Sequence, residues 1–367
     1  MGPATLEGVA VRGLLLLSML CLLVGRAEAN GDATYRATVL LVVGAPGTEE
    51  YERMFQEWTD RWREAAERGR AEFLTLGLEP VDADATDLER LEGMIRQIAA
   101  DENVHRPLWI VLIGHGTFDG RSARFNLRGP DLLPEKLNVW LTGMRRETAI
   151  VNCTAASAPF IAALSGPDRV VVAATKSGFE INFARFGEYL SQAIGSLESD
   201  LDKDGQVSLL EAFLRASRQT QEFYESDGRL ATEHALIDDD GDGLGTRAAA
   251  FEGVRPTRDS ETGAIDGYRA HQWHLIPNEI EQQFPPELRR RRDELELQVF
   301  RLRDRKSELG EAEYYAELEP LLIEIAELYE QAAAIDEAPQ LPQLPVPEAP
   351  PLPEPLPRSE PRPAAVP

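Results

Sequence analysis

The sequence predicts an α/β fold: a mostly parallel sheet flanked by helices, then a second helical region and a C-terminal helical hairpin. Three observations predict it. Short apolar runs recur at Tyr35 to Val43, Leu108 to Ile113, Thr148 to Val151 and Val170 to Ala174. They are continuous rather than alternating, as strands covered on both faces of a parallel sheet must be. Segments with apolar residues at helical spacing separate them, the order that builds a parallel sheet between helices.

The elements follow in order. Gly44-Ala45-Pro46-Gly47 ends the first run. Glu49 to Arg68 then carries Tyr51, Phe55, Trp58 and Trp62 on one helical face. Ala71 to Leu76 reads as a further strand, and Asp84 to Ala100 as an amphipathic helix with Asp and Thr cap candidates. The run Leu108 to Ile113 ends at Gly114-His115-Gly116, and Phe125 to Leu127 reads as a short extension. A helix is expected within Asp131 to Met144, and another over Pro159 to Leu164. Amphipathic helices are expected over Phe186 to Leu197 and from Leu209 to about Tyr224. Pro256 to Gly267 reads as loop, and Gln272 to Ile276 as one more strand.

Pro286 opens a long helical stretch with Leu288, Leu295, Leu302 and Leu309 at every seventh position. Gly310 interrupts it before a second helix, Glu311 to Ala334. A hairpin packed on itself is the favoured reading. Self-association through a coiled coil is the alternative, weakened by the basic residues between the leucines. Pro339 to Pro367 is a proline-rich tail expected to be extended and without a core.

The ends of the chain speak to its compartment. Arg12, the apolar run Leu14 to Val24 and Ala27-Glu28-Ala29 fit a secretory signal peptide over residues 1–29. The protein is therefore expected to be exported, to a periplasmic or extracellular space. Its cleavage would remove Cys21 and leave Cys153 as the only cysteine, which excludes an internal disulfide. No later segment is apolar enough to cross a bilayer. The expected divisions are 1–29, 35–197 for the α/β domain, 198–280 for a helical extension, 286–335 for the hairpin and 336–367 for the tail.

The 367 residues carry 63 Asp and Glu against 38 Lys and Arg, a formal net charge of -25. That balance argues against nucleic acid, whose phosphates require neutralising cations. It suits solubility and the binding of cations.

One acidic stretch has the spacing of a metal loop. Asp200, Asp202 and Asp204 stand at positions 1, 3 and 5 of a twelve-residue segment, with Gly205 at position 6. Gln206 would offer a backbone carbonyl at position 7 and Ser208 an oxygen or a bridged water at position 9. Glu211 would close the site with two oxygens from position 12. This is the EF-hand pattern, an all-oxygen set for the hard cation calcium. Val207 is the apolar position that pairs with a neighbouring loop. A second cluster, Asp238, Asp240, Asp242 and Gly243, repeats positions 1, 3, 5 and 6, but its twelfth position is Ala249. It reads equally as a weak calcium site, a partner of the first loop or a plain acidic turn.

A thiol needs a base to become a nucleophile, and backbone N–H groups to hold the oxyanion it creates. Here one apolar strand runs into His115-Gly116, and a second runs into Asn152-Cys153, 38 residues further on. This arrangement resembles the legumain-like cysteine peptidases and, more distantly, caspases and gingipains, over roughly residues 37–194. The resemblance implies a caspase-like sheet and a protein or peptide substrate or partner. His115 would be the base, Cys153 the nucleophile, and Gly116 and Cys153 the oxyanion donors. His115-Gly-Thr-Phe-Asp119-Gly and Ala174-Thr-Lys-Ser-Gly-Phe-Glu180 are similar to a bacterial group of this class that carries calcium-type loops downstream. One departure stands out. Thr154-Ala-Ala-Ser157 follows the cysteine, and matching Ser157 to the family serine moves the nucleophile position to Ala155. Cys153 is then either the nucleophile or a small buried hydrophobe, and the protein either a peptidase or an inactive calcium-stabilised scaffold. His105, His234, His271 and His274 form no metal-ligand spacing and read as structural or surface residues.

Overall fold

The computed structural model describes residues 36–81, 84–257 and 266–336. The expected signal segment, the start of the first apolar run at Tyr35 and the proline-rich tail from 337 onward lie outside the described residues.

Among the described residues, seven strands form the main sheet in the order β2-β1-β3-β6-β7-β8-β9. Strands β1 (Thr38–Val43), β2 (Glu72–Leu76), β3 (Leu108–Ile113), β6 (Thr148–Asn152) and β7 (Arg169–Ala173) run parallel. β8 (Leu236–Asp238) and β9 (Thr246–Arg247) continue the sheet antiparallel. These last two are too short to show a period in sequence. A separate hairpin pairs β4 (Gly116–Phe118) with β5 (Ala123–Phe125) just beyond β3.

The continuous apolar strands are explained by cover on both faces. Odd-numbered residues of β1, β3 and β6, such as Leu41, Val111 and Val151, point into a core built with helices α1 (Glu49–Arg68), α5 (Phe186–Ala193) and α6 (Leu209–Ser226). Even-numbered ones, such as Leu40, Ile110 and Ile150, meet α2 (Asp87–Ala100), α3 (Pro134–Trp140) and α4 (Pro159–Leu164). α1 buries Phe55, Trp58 and Trp62, as its helical spacing predicts. Each large side chain so buried contributes about 1.5–3 kcal/mol. Thr86 opens α2 with a capping box that uses Glu89.

The segment Gln272 to Ile276 is not a strand. Among the described residues it makes one isolated bridge, His274 to Ser208. The chain just before it coils into a single helical turn, α7 (Tyr268–His271). Buried Asp239 imposes that turn by accepting from Gly267 N at 2.8 Å and Ala270 N at 2.7 Å.

α8 (Glu279–Gln283) leads to α9 (Pro286–Asp304) and α10 (Glu311–Asp336). The last two pack on each other around Phe284, Leu295, Leu328 and Ala332. Arg292, nearly buried, ion-pairs with Glu281 and Asp293. Among the described residues no helix is long and apolar enough to cross a membrane.

Gly187 shows how closely α5 lies on the sheet. A Cβ there would sit 2.6 Å from the Cβ of Cys153 and 2.8 Å from Cζ3 of Trp58. Gly187→Ala is therefore expected to cost about 1–3 kcal/mol through overpacking. Urea unfolding measures this directly, and an unchanged midpoint would mean that the contact is looser than described.

Candidate functional site

The carboxyl ends of the parallel strands form the first candidate site. β1 and β3 are neighbours, yet their connections leave toward opposite sides, to β2 and β6. Such a switch point opens a crevice beyond the strand ends. His115 stands there. Its Nε2 lies 3.2 Å from the carbonyl of Pro46, in the loop after β1. A carbonyl only accepts, so this bond needs hydrogen on Nε2 and leaves Nδ1 as the basic nitrogen. The ring is held between Tyr51, Phe55 and Phe183, with centroids at 4.6, 5.5 and 5.7 Å.

Cys153 lies past the end of β6 on the same face of the sheet, but inside the core. Its exposure is 1%. Its neighbours include Trp58 and Gly187, and its backbone N–H donates to Leu112 O at 3.0 Å. Burial, with a smaller contribution from Glu233, pushes the thiol up to about 12. Glu233 is itself buried, raised by desolvation, and accepts from Arg185 N, Phe186 N and Tyr224 Oη. No hydrogen bond or ion pair joins His115 to Cys153 among the described residues.

What lies against the His-Gly pair is the segment just after the cysteine. A Cβ on Gly116 would fall 2.0 Å from Ala155 O and 2.6 Å from Thr154 Oγ1. Gly116 is thus required by this close approach. Ala155 offers only a methyl group. Ala156 follows in the left-handed region at φ 54, and its N–H donates to Glu180 O at 2.8 Å. Ser157 is fully buried against Thr175. Glu180 in turn pairs with His234 at 2.6 Å. The edge therefore holds a placed histidine and a close-packed turn, while the thiol is buried and makes no hydrogen bond to the histidine.

The second candidate site is the acidic loop after α5. Asp200, Asp202 and Asp204 each bring a carboxylate oxygen within 4.8 Å of the others. Asp200 Oδ2 accepts from Gly205 N at 3.1 Å, Asp202 Oδ1 from Asp204 N at 3.3 Å, and Asp204 Oδ1 from Gln206 N at 3.0 Å. Lys203 and Gly205 take positive φ, 65° and 88°. Glu211 is buried at the start of α6. Its Oε1 accepts from Leu201 N and Asp202 N at 2.7 and 3.3 Å, and its Oε2 from Ser208. Val207 is buried in the core. Burial, then the neighbouring aspartates, raises Asp204. This set of carboxylates fits a hard divalent cation.

The loop after β8 repeats the same pattern. Asp238, Asp240 and Asp242 also lie within 4.8 Å of one another. Asp238 Oδ2 accepts from Gly243 N at 2.7 Å, Asp240 Oδ1 from Asp242 N at 2.8 Å, and Asp242 Oδ1 from Leu244 N at 2.7 Å. Gly241 and Gly243 take the positive φ values, 87° and 76°. The carboxylate missing at Ala249 has a counterpart that sequence reasoning missed. Asp266 Oδ1 accepts from Asp239 N and Asp240 N at 2.8 and 3.4 Å. Those are the N–H groups at positions 2 and 3, the same two that Glu211 caps in the first loop. Burial and the neighbouring Asp239 hold Asp266 well above the usual carboxylate range. Nothing in the spacing announces it, since it lies 28 residues beyond Asp238.

The first loop is also docked to the segment that follows α7. His271 Nε2 lies 2.9 Å from Asp202 Oδ2. Asn278 donates from its backbone to Gln206 Oε1 at 3.0 Å and from its side chain to Asp204 O at 3.1 Å. Leu209 N donates to Trp273 O at 2.8 Å. Of the remaining histidines, His105 bonds Arg290, and His274 is buried, which lowers it to about 4.

No protein-family model matches the sequence, and no curated protein matches it. Among solved structures, caspase-1 from Spodoptera frugiperda is similar at 9% identity and a TM-score of 0.40, over 56% of this chain and 87% of that one. The Drosophila initiator caspase Dronc is similar at 13% identity and a TM-score of 0.40, over 59% of this chain and 83% of that one. Likeness at this level leaves the function to be argued from the chain's own residues.

Two outcomes follow from the buried thiol. Iodoacetamide should leave Cys153 unmodified in the folded protein and label it in denaturant, as read by intact mass. Stability should also fall at alkaline pH. The thiol titrates near 9.0 when unfolded and near 12 when folded, so its contribution is complete below pH 9 and is lost as pH rises toward 12. Over that window the protein should lose up to about 1.4 kcal/mol per pH unit more than Cys153→Ala does. Parallel pH profiles of the two would contradict the burial.

Proposed function

We propose that the chain is an exported, calcium-binding α/β scaffold of the legumain and caspase type whose peptidase centre does not work. The observation that carries this reading is the position of Cys153. It is closed in the core, its thiol is pushed away from ionisation, and it has no bond to His115. Attack on a peptide carbonyl needs a thiolate within reach of both substrate and base. Ala155, whose carbonyl lies against Gly116, has no nucleophilic atom, and the Thr154 hydroxyl beside it donates to Asn152 Oδ1 at 2.7 Å. A protein or peptide partner, bound rather than cleaved, fits the crevice at the strand ends.

The calcium reading rests on the two loops. Asp200, Asp202, Asp204 and Glu211, with the carbonyl of Gln206 and Ser208 at position 9, would hold one ion. Asp238, Asp240 and Asp242 would hold a second, with Asp266 in the place of the closing carboxylate. Bound calcium would supply the positive charge that offsets the crowding of these carboxylates. The residues around them do the rest. Backbone N–H groups of each loop fix the aspartates in advance, which reduces the ordering cost of binding. Asn278 and His271 tie the first loop to the chain entering the helical hairpin. β8 ties the second loop to the sheet.

Calorimetric titration of the calcium-depleted protein tests this reading. Two binding events are expected, with a rise in thermal midpoint. Glu211→Gln should weaken one by at least about tenfold, ~1.4 kcal/mol, and Asp266→Asn the other. Titrations identical to the unaltered protein would refute the assigned ligands. Peptidyl acyloxymethyl ketones with Asn, Asp, Arg or Lys at P1 should leave the native protein unlabelled. Labelling of Cys153 that is lost in His115→Ala would overturn the non-catalytic reading and establish a peptidase.

A further inference from the structure

Helix α10 carries two rows of large apolar side chains, and α9 covers only one of them. Tyr314, Leu321 and Leu328 stand at every seventh position. Tyr314 and Leu328 are buried, and Leu321 and Leu328 pack with Leu295 of α9. The next residue of each repeat, Tyr315, Leu322 and Tyr329, forms a second row about 100° further round the helix. These three are 52%, 49% and 40% exposed, and Ile323 beside them is 51% exposed. A contiguous exposed apolar row of this kind marks an interaction surface. Its rings are already oriented. Tyr315 meets Tyr314 edge to face at 5.3 Å, and Tyr329 meets Phe284 in the same way at 5.1 Å.

Charge and chain length decide what fits this row. α10 is rich in glutamate and has no lysine or arginine, and by helical spacing Glu319 and Glu330 border the row. A second copy of α10 laid on it would bring like charges together, which is unfavourable. The chain itself supplies an uncharged alternative, because residues 337–367 continue directly from the end of α10. In that segment Leu341, Leu344, Pro347, Pro350, Pro353 and Leu356 stand three apart. A polyproline helix has three residues per turn, so these side chains would line one continuous apolar face. Glu348 and Glu354, six apart, would share a different face. The repeats also match in length. One polyproline turn advances about 9.3 Å, and seven residues of α-helix advance about 10.5 Å.

We propose that the proline-rich tail folds back antiparallel on α10 as a polyproline helix and covers this row. Glu337 to Gln340 make the reversal, and Leu344, Pro347 and Pro350 come opposite Tyr329, Leu322 and Tyr315. Aromatic rings take prolines by flat apolar contact, as aromatic-lined grooves do for proline-rich peptides. A polyproline segment is preformed, so little ordering entropy opposes the docking. Its apolar face carries no charge and meets the glutamate-bordered row without repulsion. The contact is independent of the calcium loops and of the His115 crevice.

The test is photo-cross-linking of the full chain with a benzophenone amino acid in place of Leu322. Irradiation should give a product of single-chain mass on a denaturing gel. Cleavage at glutamate and mass spectrometry should place the cross-link within residues 341–353. The same probe in place of Gln331 is the control, since that residue is exposed, lies on the opposite side of α10 and is closer in sequence to the tail. It should give little of this product. Leu344→Glu with Pro347→Glu should lower the yield at Leu322 at least about fivefold, because both place a carboxylate against an apolar row. These two residues lie outside the packed cores, and unchanged circular dichroism confirms that the fold is intact. A chain-to-chain product at Leu322 would assign the row to a second copy and overturn the proposal. So would no cross-link to the tail, equal yields at the two probe positions, or a yield untouched by the glutamate substitutions.

Discussion

Cover on both faces of the parallel sheet governs the rest of the structure. A strand sandwiched between helix layers has no free face. Every second residue enters one core and the alternate ones the other. At the end of β6 this parity sends Cys153 after Ala149 and Val151 into the layer under α1, α5 and α6. Gly187 lets α5 approach so closely that a Cβ there would meet both Cys153 Cβ and the Trp58 ring. At the end of β3 the same parity sends His115 after Ile113 toward the same layer. There the ring stops half-buried at the rim, against Tyr51 and Phe55 of α1 and against Phe183. Two residues with the same facing thus reach different depths. The difference in depth, more than the facing, separates the half-buried imidazole from the sealed thiol.

The acidic loops obey a different constraint. Like charges held a few ångströms apart repel, and removing them from water makes each costlier still. The chain answers with backbone N–H groups. Both loops direct the N–H at position 6 to the first aspartate, and those at positions 5 and 7 to the aspartates two residues before them. In both, one carboxylate oxygen from outside the tight turn caps the N–H groups at positions 2 and 3. Glu211 does so from the next helix, and Asp266 from across a long excursion of chain. The same local electrostatics is met by residues of different origin. The position of the carboxylate, not its place in a twelve-residue pattern, is what the loop requires.

That contrast also explains how much was legible in the sequence. The parallel strands were, because burial on two faces leaves a continuous apolar run. The first acidic loop was, because all its groups lie within one short segment. Helices α1 and α4 have the bounds their aromatics and prolines suggest. β8 and β9 were not legible, since a strand of two or three residues has no period. Asp266 was not, because its role depends on a fold that returns it to Asp239. Gln272 to Ile276 misled because its apolar residues serve packing, while Asp239 coils the preceding turn. For Cys153 the sequence left two readings open, and the distinction lay in how far α5 and Trp58 reach over the strand end. No local pattern encodes that distance.

The long-range contacts place the two ends of the molecule in one mechanical unit. The first acidic loop holds Asn278, and Asn278 caps α8 by accepting from Glu281 N at 2.9 Å. Glu281 then pairs with Arg292 and Arg289 of α9. Those contacts set the position of α9 against the amino ends of the strands. Order in the acidic loop is thus passed through one asparagine and one glutamate to the hairpin. A buried ion pair of this kind contributes little net stability once desolvation is counted. Its effect is on geometry: it holds α9 where Glu281 meets both Arg289 and Arg292. The acidic loop thereby gives the helical hairpin a defined place against the sheet.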